Sequence, residues 1–210
     1  MSDIEQISSL EHIIRARRSI RSFSGQVSDE TLRKIVESAL YAPYAAGTGI
    51  PFKEIRRIFI FRQQTAAMTQ AQEIIQEHLR RSAFKLRLAA VFSKKMRTLA
   101  GRVQASAEKG IPSLCEGSLI VAAEQKGFPA VEAQSLAHVM QNMWLTAAAH
   151  GVGLQLLSLT GGLANNKQFM QLLGLPPNKW ALSGCVVGIP KHVPAAREQR
   201  NADDFIFWLK

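Results

Sequence analysis

The chain has 210 residues, 47% of them hydrophobic, which suits one compact domain with an ordinary buried core. It contains no apolar run near the ~20 residues that span a bilayer, and its N-terminus lacks the basic start and apolar stretch of a secretory signal. Cys115 and Cys185 lie in apolar surroundings, so we expect two buried thiols, too few for a structural zinc or iron–sulfur site. The histidines form no cluster of metal-ligand spacing. We therefore expect a cytoplasmic protein without a bound metal.

A net charge of +10 is the unusual feature of the composition. Much of it lies between His78 and Ala107, where the sequence contains no carboxylate. Such a surface can attract anionic cofactors, acidic partners, nucleic acid or a membrane surface, and it can equally be a solvated face that keeps a protein in solution. Aromatic side chains for base stacking are scarce there, so nucleic acid is the less favoured partner. The basic residues are Arg80, Arg81, Lys85, Arg87, Lys94, Lys95, Arg97 and Arg102.

The N-terminal part of the chain predicts two helices and a loop. The first helix covers residues 2–17. Ser28 is the N-cap of the second helix, with acidic residues in its first turn, and Pro43 ends it. Residues 44–51 are small and glycine-rich, which predicts a loop whose backbone can approach a ligand closely. The buried side of the second helix is expected to consist of Leu32, Ile35, Val36, Ala39 and Leu40.

A strand is predicted at residues 55–61, which are mainly β-branched or aromatic. A basic helical insertion follows over about residues 65–110. Its apolar side chains recur at near-helical intervals, as Phe84, Leu88, Phe92, Met96, Leu99 and Val103. Further along the chain, strands are predicted at 117–123, 154–158 and 181–187, and helices at 130–150 and 165–173.

Residues 205–209 form an apolar and aromatic tail, Phe-Ile-Phe-Trp-Leu. Such a tail frays or aggregates unless it docks on something. Two interpretations are open. The tail packs on the core of its own chain, or it packs on a partner subunit.

Residues 17–23, Arg-Arg-Ser-Ile-Arg-Ser-Phe, place three guanidiniums within five residues just after the first predicted helix. Such a cluster repels itself unless an anion lies among the side chains, and the planar guanidinium matches phosphate oxygens. The alternative is a solvated basic helix end, where arginine also interacts favourably with the helix dipole.

The arginine run resembles the R-x-S-x-R/K signature of the nitroreductase family, and further segments resemble that family in the same order. Tyr-Ala-Pro at 41–43 precedes the loop of small residues. Residues 141–153 resemble the helix motif Q-N-x-x-L-A-A-x-x-x-G-x-G, and Thr-Gly-Gly-Leu at 160–163 resembles the loop that faces the isoalloxazine edge. The final L-G-x-P and G-x-P motifs lie at 173–176 and 187–190. Together these motifs disfavour the solvated helix end.

The loop after Pro43 departs from the family pattern P-S-A-x-N-x-Q-P-W. Tyr44 stands where the family has serine, and the asparagine and glutamine are absent. Which residues replace them stays open. The basic insertion resembles no motif of the family.

The resemblance implies an α+β fold in which helices surround a mixed β-sheet, with two chains intertwined as a homodimer and flavin mononucleotide (FMN) sites at the interface. In such a dimer the tail crosses onto the partner. By family position, Arg17 and Arg21 bind the FMN phosphate and ribityl chain. Ser19 is a hydroxyl partner, and Arg18 contributes at least its backbone near the ring.

On the other parts of the flavin, the resemblance assigns backbone N–H groups of Gly161 and Gly162 to the N5 side. Arg197 completes phosphate binding, with Lys191 or Arg200 as rivals for that role. The loop residues at the flavin are Ala45, Ala46 and Gly47, and Tyr44 lines the substrate pocket.

The implied activity is that of an FMN-dependent oxidoreductase, a flavoprotein that takes hydride from NADH or NADPH and reduces a small electrophile such as a nitroaromatic or quinone. No catalytic side chain is needed, because the flavin carries the chemistry. Two other functions remain open. One is a non-enzymatic flavin-binding or redox-sensing protein, and the other is a basic interaction module acting through residues 80–102.

Overall fold

The computed structural model describes residues 3–43, 51–89, 94–127, 130–195 and 200–209. None of the helices in these ranges combines the length and the apolar character needed to cross a membrane. The strands are β1 (Phe23–Gly25), β2 (Arg56–Phe61), β3 (Ser118–Gln125), β4 (Gly153–Leu157) and β5 (Trp180–Pro190). The helices are α1 (Asp3–Ala16), α2 (Asp29–Ser38), α3 (Phe52–Ile55), α4 (Ala66–Ala89), α5 (Lys94–Lys109), α6 (Pro112–Glu116), α7 (Glu132–Ala149), α8 (Thr160–Leu163) and α9 (Lys167–Leu172), with 3₁₀ turns at Ala39–Tyr41 and Ala202–Asp204.

Strand β5 organises the sheet. It pairs antiparallel with β3 along one edge and with β4 along the other, and β1 joins its C-terminal end. Strand β2 extends the sheet by pairing antiparallel with β3. A parallel contact is made by the isolated bridge between Ser19 and Leu154. The predicted α+β class, with helices around a sheet, is confirmed.

Both faces of the sheet are buried. Successive side chains of a strand point to opposite faces, and β3 shows the result. Leu119, Val121 and Ala123 join the apolar cluster that includes α4 and α9, whereas Ile120 and Ala122 join the cluster that includes α2 and α7. The sheet therefore lies between two helical layers, as its continuous apolar strands favour.

Helix α2 begins as predicted, since Ser28 Oγ accepts a hydrogen bond from the Thr31 N–H at 3.3 Å. Leu32 and Ile35 are buried, but Leu40 is 51% exposed, so its predicted burial is wrong. The α-helix ends at Ser38 and continues as a 3₁₀ turn, which has three residues per turn. This tighter winding changes the phase of the apolar stripe and turns Leu40 outward.

The basic insertion forms α4 and α5, as predicted, but its apolar face is only partly correct. Phe84 is 64% exposed and Leu88 61% exposed, and Leu99 also lies on the surface. Phe92 lies outside the described residues. The side of α4 that packs on the core consists of Met68, Ala71, Ile74, Ile75, Leu79 and Ala83.

The two cysteines differ. Cys185 on β5 is fully buried, and burial raises the pKa of its thiol to about 12. Cys115 is exposed, so its predicted burial is wrong. Helix α6 is a single short turn that directs Ser113 and Leu114 inward and Cys115 outward.

The apolar tail does not pack on the core of its own chain, so that interpretation is wrong. The side chains of Phe205–Leu209 are between 50% and 97% exposed. The preceding 3₁₀ turn Ala202–Asp204 has no buried residue either. An exposed apolar segment of this kind is typical of an interaction surface.

Gly153 lies close to the side chains of Ile20 and Phe23, and we expect Gly153→Ala to lower the free energy of unfolding by about 1–3 kcal/mol. A Cβ there would lie 2.8 Å from Ile20 Cγ2 and 2.9 Å from Phe23 Cε1. Gly101→Ala is the control, because an added Cβ on this α5 residue meets nothing within 4 Å and alanine favours helix by up to about 1 kcal/mol. Urea denaturation measures both, and equal effects would contradict the prediction.

Candidate functional site

The arginine run lies between α1 and β1 and is held along β4. The Ile20 N–H donates to Leu154 O at 3.1 Å, next to the bridge between Ser19 and Leu154. Ile20 and Phe23 are buried over Gly153, where a side chain would clash. The glycine of the G-x-G motif therefore gives the run room to pack against the strand.

Trp144 on α7 contacts both Arg17 and Arg18. The Arg17 guanidinium carbon lies 4.1 Å from the centroid of the Trp144 ring, a cation–π contact. Trp144 Nε1 donates to Arg18 O at 3.1 Å, and the Arg18 side chain donates to Ala195 O. The sequence favours a core or dimer-interface role for Trp144, and its contacts with the arginine run are not predicted.

A cavity of about 370 Å³ opens beside this cluster. Arg17 and Arg18 line it, and no carboxylate occurs among its described lining residues. Such a surface attracts an anion. The lining consists of His12, Ile13, Ala16, Arg17, Arg18, Ile20, Trp144, Ala148, Ala149, Gly151, Val152, Gly153, Pro190 and Val193.

A second cavity, of about 670 Å³, lies between α7 and strands β4 and β5, and Trp144 lines both cavities. Its walls are largely apolar, and the polar exceptions are Lys126, Gln141, Ser158, Asn165 and Ser183. Both volumes fall in the range of small-molecule sites. A cationic cavity thus lies beside a largely apolar one, with Trp144 lining both, which suits a ligand with an anionic end and an apolar ring.

The Thr-Gly-Gly-Leu segment is a short helix, α8, so the predicted loop is wrong. Gly161 lines the larger cavity. Gly162 lies on the other side, where an added Cβ would be 2.9 Å from His78 Nε2, and its N–H already donates to Leu159 O at 3.0 Å. Burial first, and then the charges of Lys85 and Arg81, lower the pKa of His78. Of the two glycines, the structure brings Gly161 to the cavity.

Ser19 is half-buried and Arg21 is exposed, and neither is among the described residues that line the two cavities. Their assignments to the cofactor stay predictions. Tyr44, Ala45, Ala46, Gly47 and Arg197 lie outside the described residues, so their assignments stay predictions as well.

The two rivals of Arg197 have other contacts. Lys191 Nζ pairs with Glu116 Oε1, and Glu116 Oε2 accepts the Phe23 N–H at 2.8 Å. The hydrogen bond from Lys191, followed by that from Phe23, lowers the pKa of Glu116. Arg200 lies over the Phe205 ring at 5.9 Å. The assignment of the late phosphate contact to Arg197, with Lys191 or Arg200 as rivals, stays a prediction.

Part of the positive charge on the exposed face of α4 is paired with a carboxylate. Glu77 pairs with Arg81 at 2.8 Å and with Arg80 at 3.8 Å, although it precedes the carboxylate-free stretch of the sequence. Between α4 and α5, Arg80 and Arg87 line a groove of about 500 Å³ together with Phe84, Gln104, Ala107 and Glu108.

Comparison with known proteins is consistent with this fold. The family model described as "Nitroreductase family" matches residues 14–189, more than four-fifths of the chain. The fold is similar to that of a BluB-like flavoprotein from Clostridium difficile 630, with a TM-score of 0.72, 17% identity, and 96% of this chain and 99% of that chain covered.

Two nitroreductases with bound FMN are also similar in fold. The protein from Bacteroides fragilis NCTC 9343 has a TM-score of 0.68 and 19% identity, covering 96% of this chain and 98% of that one. The protein from Desulfitobacterium hafniense DCB-2 has a TM-score of 0.66 and 18% identity with the same coverage, 96% and 98%. No curated protein matches the sequence significantly. Because the family match spans most of the chain, this protein belongs to the nitroreductase family.

Proposed function

We propose that this protein is an FMN-dependent oxidoreductase that takes hydride from NADH or NADPH and reduces a small electrophile such as a nitroaromatic or a quinone. The observation that carries the proposal is the pair of adjoining cavities, one lined by Arg17 and Arg18 and the other largely apolar, which meet at Trp144. The FMN-bound nitroreductases of the same fold support the choice of cofactor.

The residues present fit FMN by their chemistry. FMN combines an apolar planar ring with a dianionic phosphate. The guanidiniums of Arg17 and Arg18, which both line the smaller cavity, suit the phosphate end. The larger cavity suits the ring, because its walls are mainly aliphatic and Gly161 has no side chain to occupy the space.

In the proposed site, FMN supplies the hydride-transfer chemistry when it is bound. Arg17 and Arg18 bind the anionic end, and Trp144 orients both, through its ring for Arg17 and through its N–H for the Arg18 backbone. The apolar side chains of α7 and β4 exclude water from the region of the ring. Gly161 lets a ligand approach the backbone of α8 closely.

We further propose that the protein acts as a homodimer, in which the exposed tail Phe205–Leu209 packs on the partner subunit. Besides the tail, Leu40 and Tyr41 expose apolar surface directly before the segment 44–50, and Tyr41 is 85% exposed. A partner that covers these surfaces removes apolar area from water. In this proposal residues 1–210 form one domain, with α4 and α5 as its basic insertion.

The freshly purified protein is expected to show a flavin absorption spectrum, which bleaches on anaerobic addition of NADPH or NADH. With an added quinone, initial rates at several donor concentrations are expected to give parallel double-reciprocal lines, because donor and acceptor occupy the same pocket in turn. Intersecting lines would contradict the shared pocket. A flavin that stays oxidised with both donors favours the redox-sensing alternative, and a colourless protein that takes up no FMN overturns the proposal.

A further inference from the structure

The larger cavity has a single charged residue among its described lining residues, Lys126. Lys126 directly follows β3, and its side chain is exposed to solvent. It forms no ion pair with another residue in the described part of the chain. A positive charge beside low-dielectric apolar walls raises the local concentration of anions that also have apolar surface. The charge of Lys126 is therefore available to a ligand that enters this cavity.

Lys126 lies at the end of the cavity away from Trp144. Its neighbour Gly127 donates an N–H to Glu132 Oε1 at 2.7 Å, and Glu132 begins α7. The lining residues on α7 run from Ala133 to Trp144. Since a helix rises about 1.5 Å per residue, these two residues are about 16 Å apart along the helix axis. The cavity thus extends from a cationic end at Lys126 to the arginine run beside Trp144.

The charged groups around Lys126 leave it as the one that faces the cavity. Glu132 is 7% exposed, its carboxylate accepts the Gly127 N–H, and it is not among the described lining residues. The Lys126 N–H donates to Lys179 O at 2.9 Å, which ties the end of β3 to the chain before β5. Lys179 is exposed as well, but it is not among the described lining residues either.

The walls near Lys126 consist of small apolar side chains. Ala133 and Ala137 lie in the first two turns of α7, and Ala181 is the second residue of β5. Each of these side chains is a single methyl group. In a cavity of about 670 Å³, they allow an aromatic ring to lie close to α7 and β5 while a substituent on the ring meets Lys126.

We propose that the larger cavity binds an aromatic carboxylate, with the ring against the apolar walls and the carboxylate against Lys126. In the proposed function, on which this role rests, the ligand is the electron acceptor, so the protein prefers electrophiles that carry an anionic substituent. Arg17 and Arg18 line the other cavity and are assigned to the FMN phosphate. Lys126 is therefore left for a second anion, and it determines specificity without taking part in the chemistry.

The test compares two ligands of similar shape, anionic 4-nitrobenzoate and neutral 4-nitrobenzamide. Their dissociation constants are measured by titration calorimetry, with the protein as purified and with the protein freed of flavin, so that the readout does not depend on activity. We expect the wild-type protein to bind the carboxylate about fivefold more tightly than the amide, as one solvent-accessible ion pair allows. High salt is expected to reduce this preference, because it screens exposed charges.

Three variants locate the charge that is responsible. Lys126→Ala is expected to abolish the preference and to leave binding of the amide unchanged, and Lys126→Glu is expected to reverse the preference. Lys179→Ala is the matched control, because it removes a neighbouring exposed lysine that does not line the cavity among the described residues. It is expected to keep most of the preference. Because Lys126 and Lys179 are exposed, we expect the thermal midpoint of all three variants to stay unchanged.

Equal binding of the two ligands by the wild-type protein overturns the proposal. An equal loss of preference in Lys126→Ala and Lys179→Ala also overturns it, since the surface potential alone then accounts for binding. If Lys126→Ala weakens binding of NADPH and keeps the preference for the carboxylate, the anion at Lys126 belongs to the hydride donor and the aromatic carboxylate is rejected. A wild-type protein that takes up no FMN overturns the proposed function instead, while calorimetry still decides whether the cavity binds an aromatic carboxylate.

Discussion

Replacing Arg17 and Arg21 together by alanine is expected to yield protein that is mostly free of FMN. A hydrogen bond between a charged donor and a charged acceptor contributes about 1.5–3 kcal/mol, so the loss of one guanidinium–phosphate contact raises the dissociation constant roughly 10- to 100-fold. Arg17 lines the cationic cavity and Arg21 does not. We therefore expect Arg17→Ala alone to cause most of the loss.

The flavin content is measured as the ratio of flavin to protein absorbance after purification, and the dissociation constant by titration of apo-protein with FMN. Arg15→Ala is the matched control, because Arg15 lies in the last turn of α1, two residues before Arg17, is largely exposed and pairs only loosely with Glu11 at 3.7 Å. Full flavin occupancy in the double variant would show that the arginine run is a solvated surface.

Glu124→Ala is expected to destabilise the fold by about 3–5 kcal/mol, because it leaves the Arg56 guanidinium buried without a counter-charge. Glu124 is 0% exposed, and its Oε1 accepts no hydrogen bond within the described part of the chain. A loss of this size is a large share of the 5–15 kcal/mol typical of a domain. Urea denaturation of the apo-protein measures the free energy of unfolding.

Two controls test whether the loss of stability comes from the unpaired buried charge of Arg56. The double variant Arg56→Met with Glu124→Leu removes both charges, and we expect it to be more stable than Glu124→Ala alone. Glu37→Ala removes an exposed ion pair with Arg33 on α2, and we expect no resolvable change. If Glu124→Ala is no more harmful than Glu37→Ala, the pair is not buried in solution.

Much of the secondary structure could be predicted from local sequence. The Ser28 cap, the apolar strands β2, β3 and β5 and the long helix α7 all depend on residues within a few positions of one another. The errors concern burial. Leu40, Cys115 and Phe84 are apolar residues at plausible core positions, but each is exposed. Their burial was predicted wrongly because periodicity alone does not say which side of a helix meets a neighbour.

The candidate site also has one part that the sequence predicts and another that only the structure reveals. Three arginines within five residues predict an anion site by themselves, because the charges are concentrated wherever the chain runs. The partner of Arg18, Trp144, lies 126 positions along the chain, and nothing near either residue points to the other. Only the packing of α7 against the arginine run brings them together.

The sequence by itself determined the family motifs, the cationic run and the α+β class, because local chemistry and hydrophobic pattern encode them. Tertiary structure alone decided that Arg56 meets Glu124, 68 positions away, and Ser135, 79 positions away. A charge at a strand end is usually solvated, so the sequence favours exposure for Arg56 and Glu124. The β2–β3 register places them opposite each other and α7 covers them, which turns two surface-like residues into a buried ion pair.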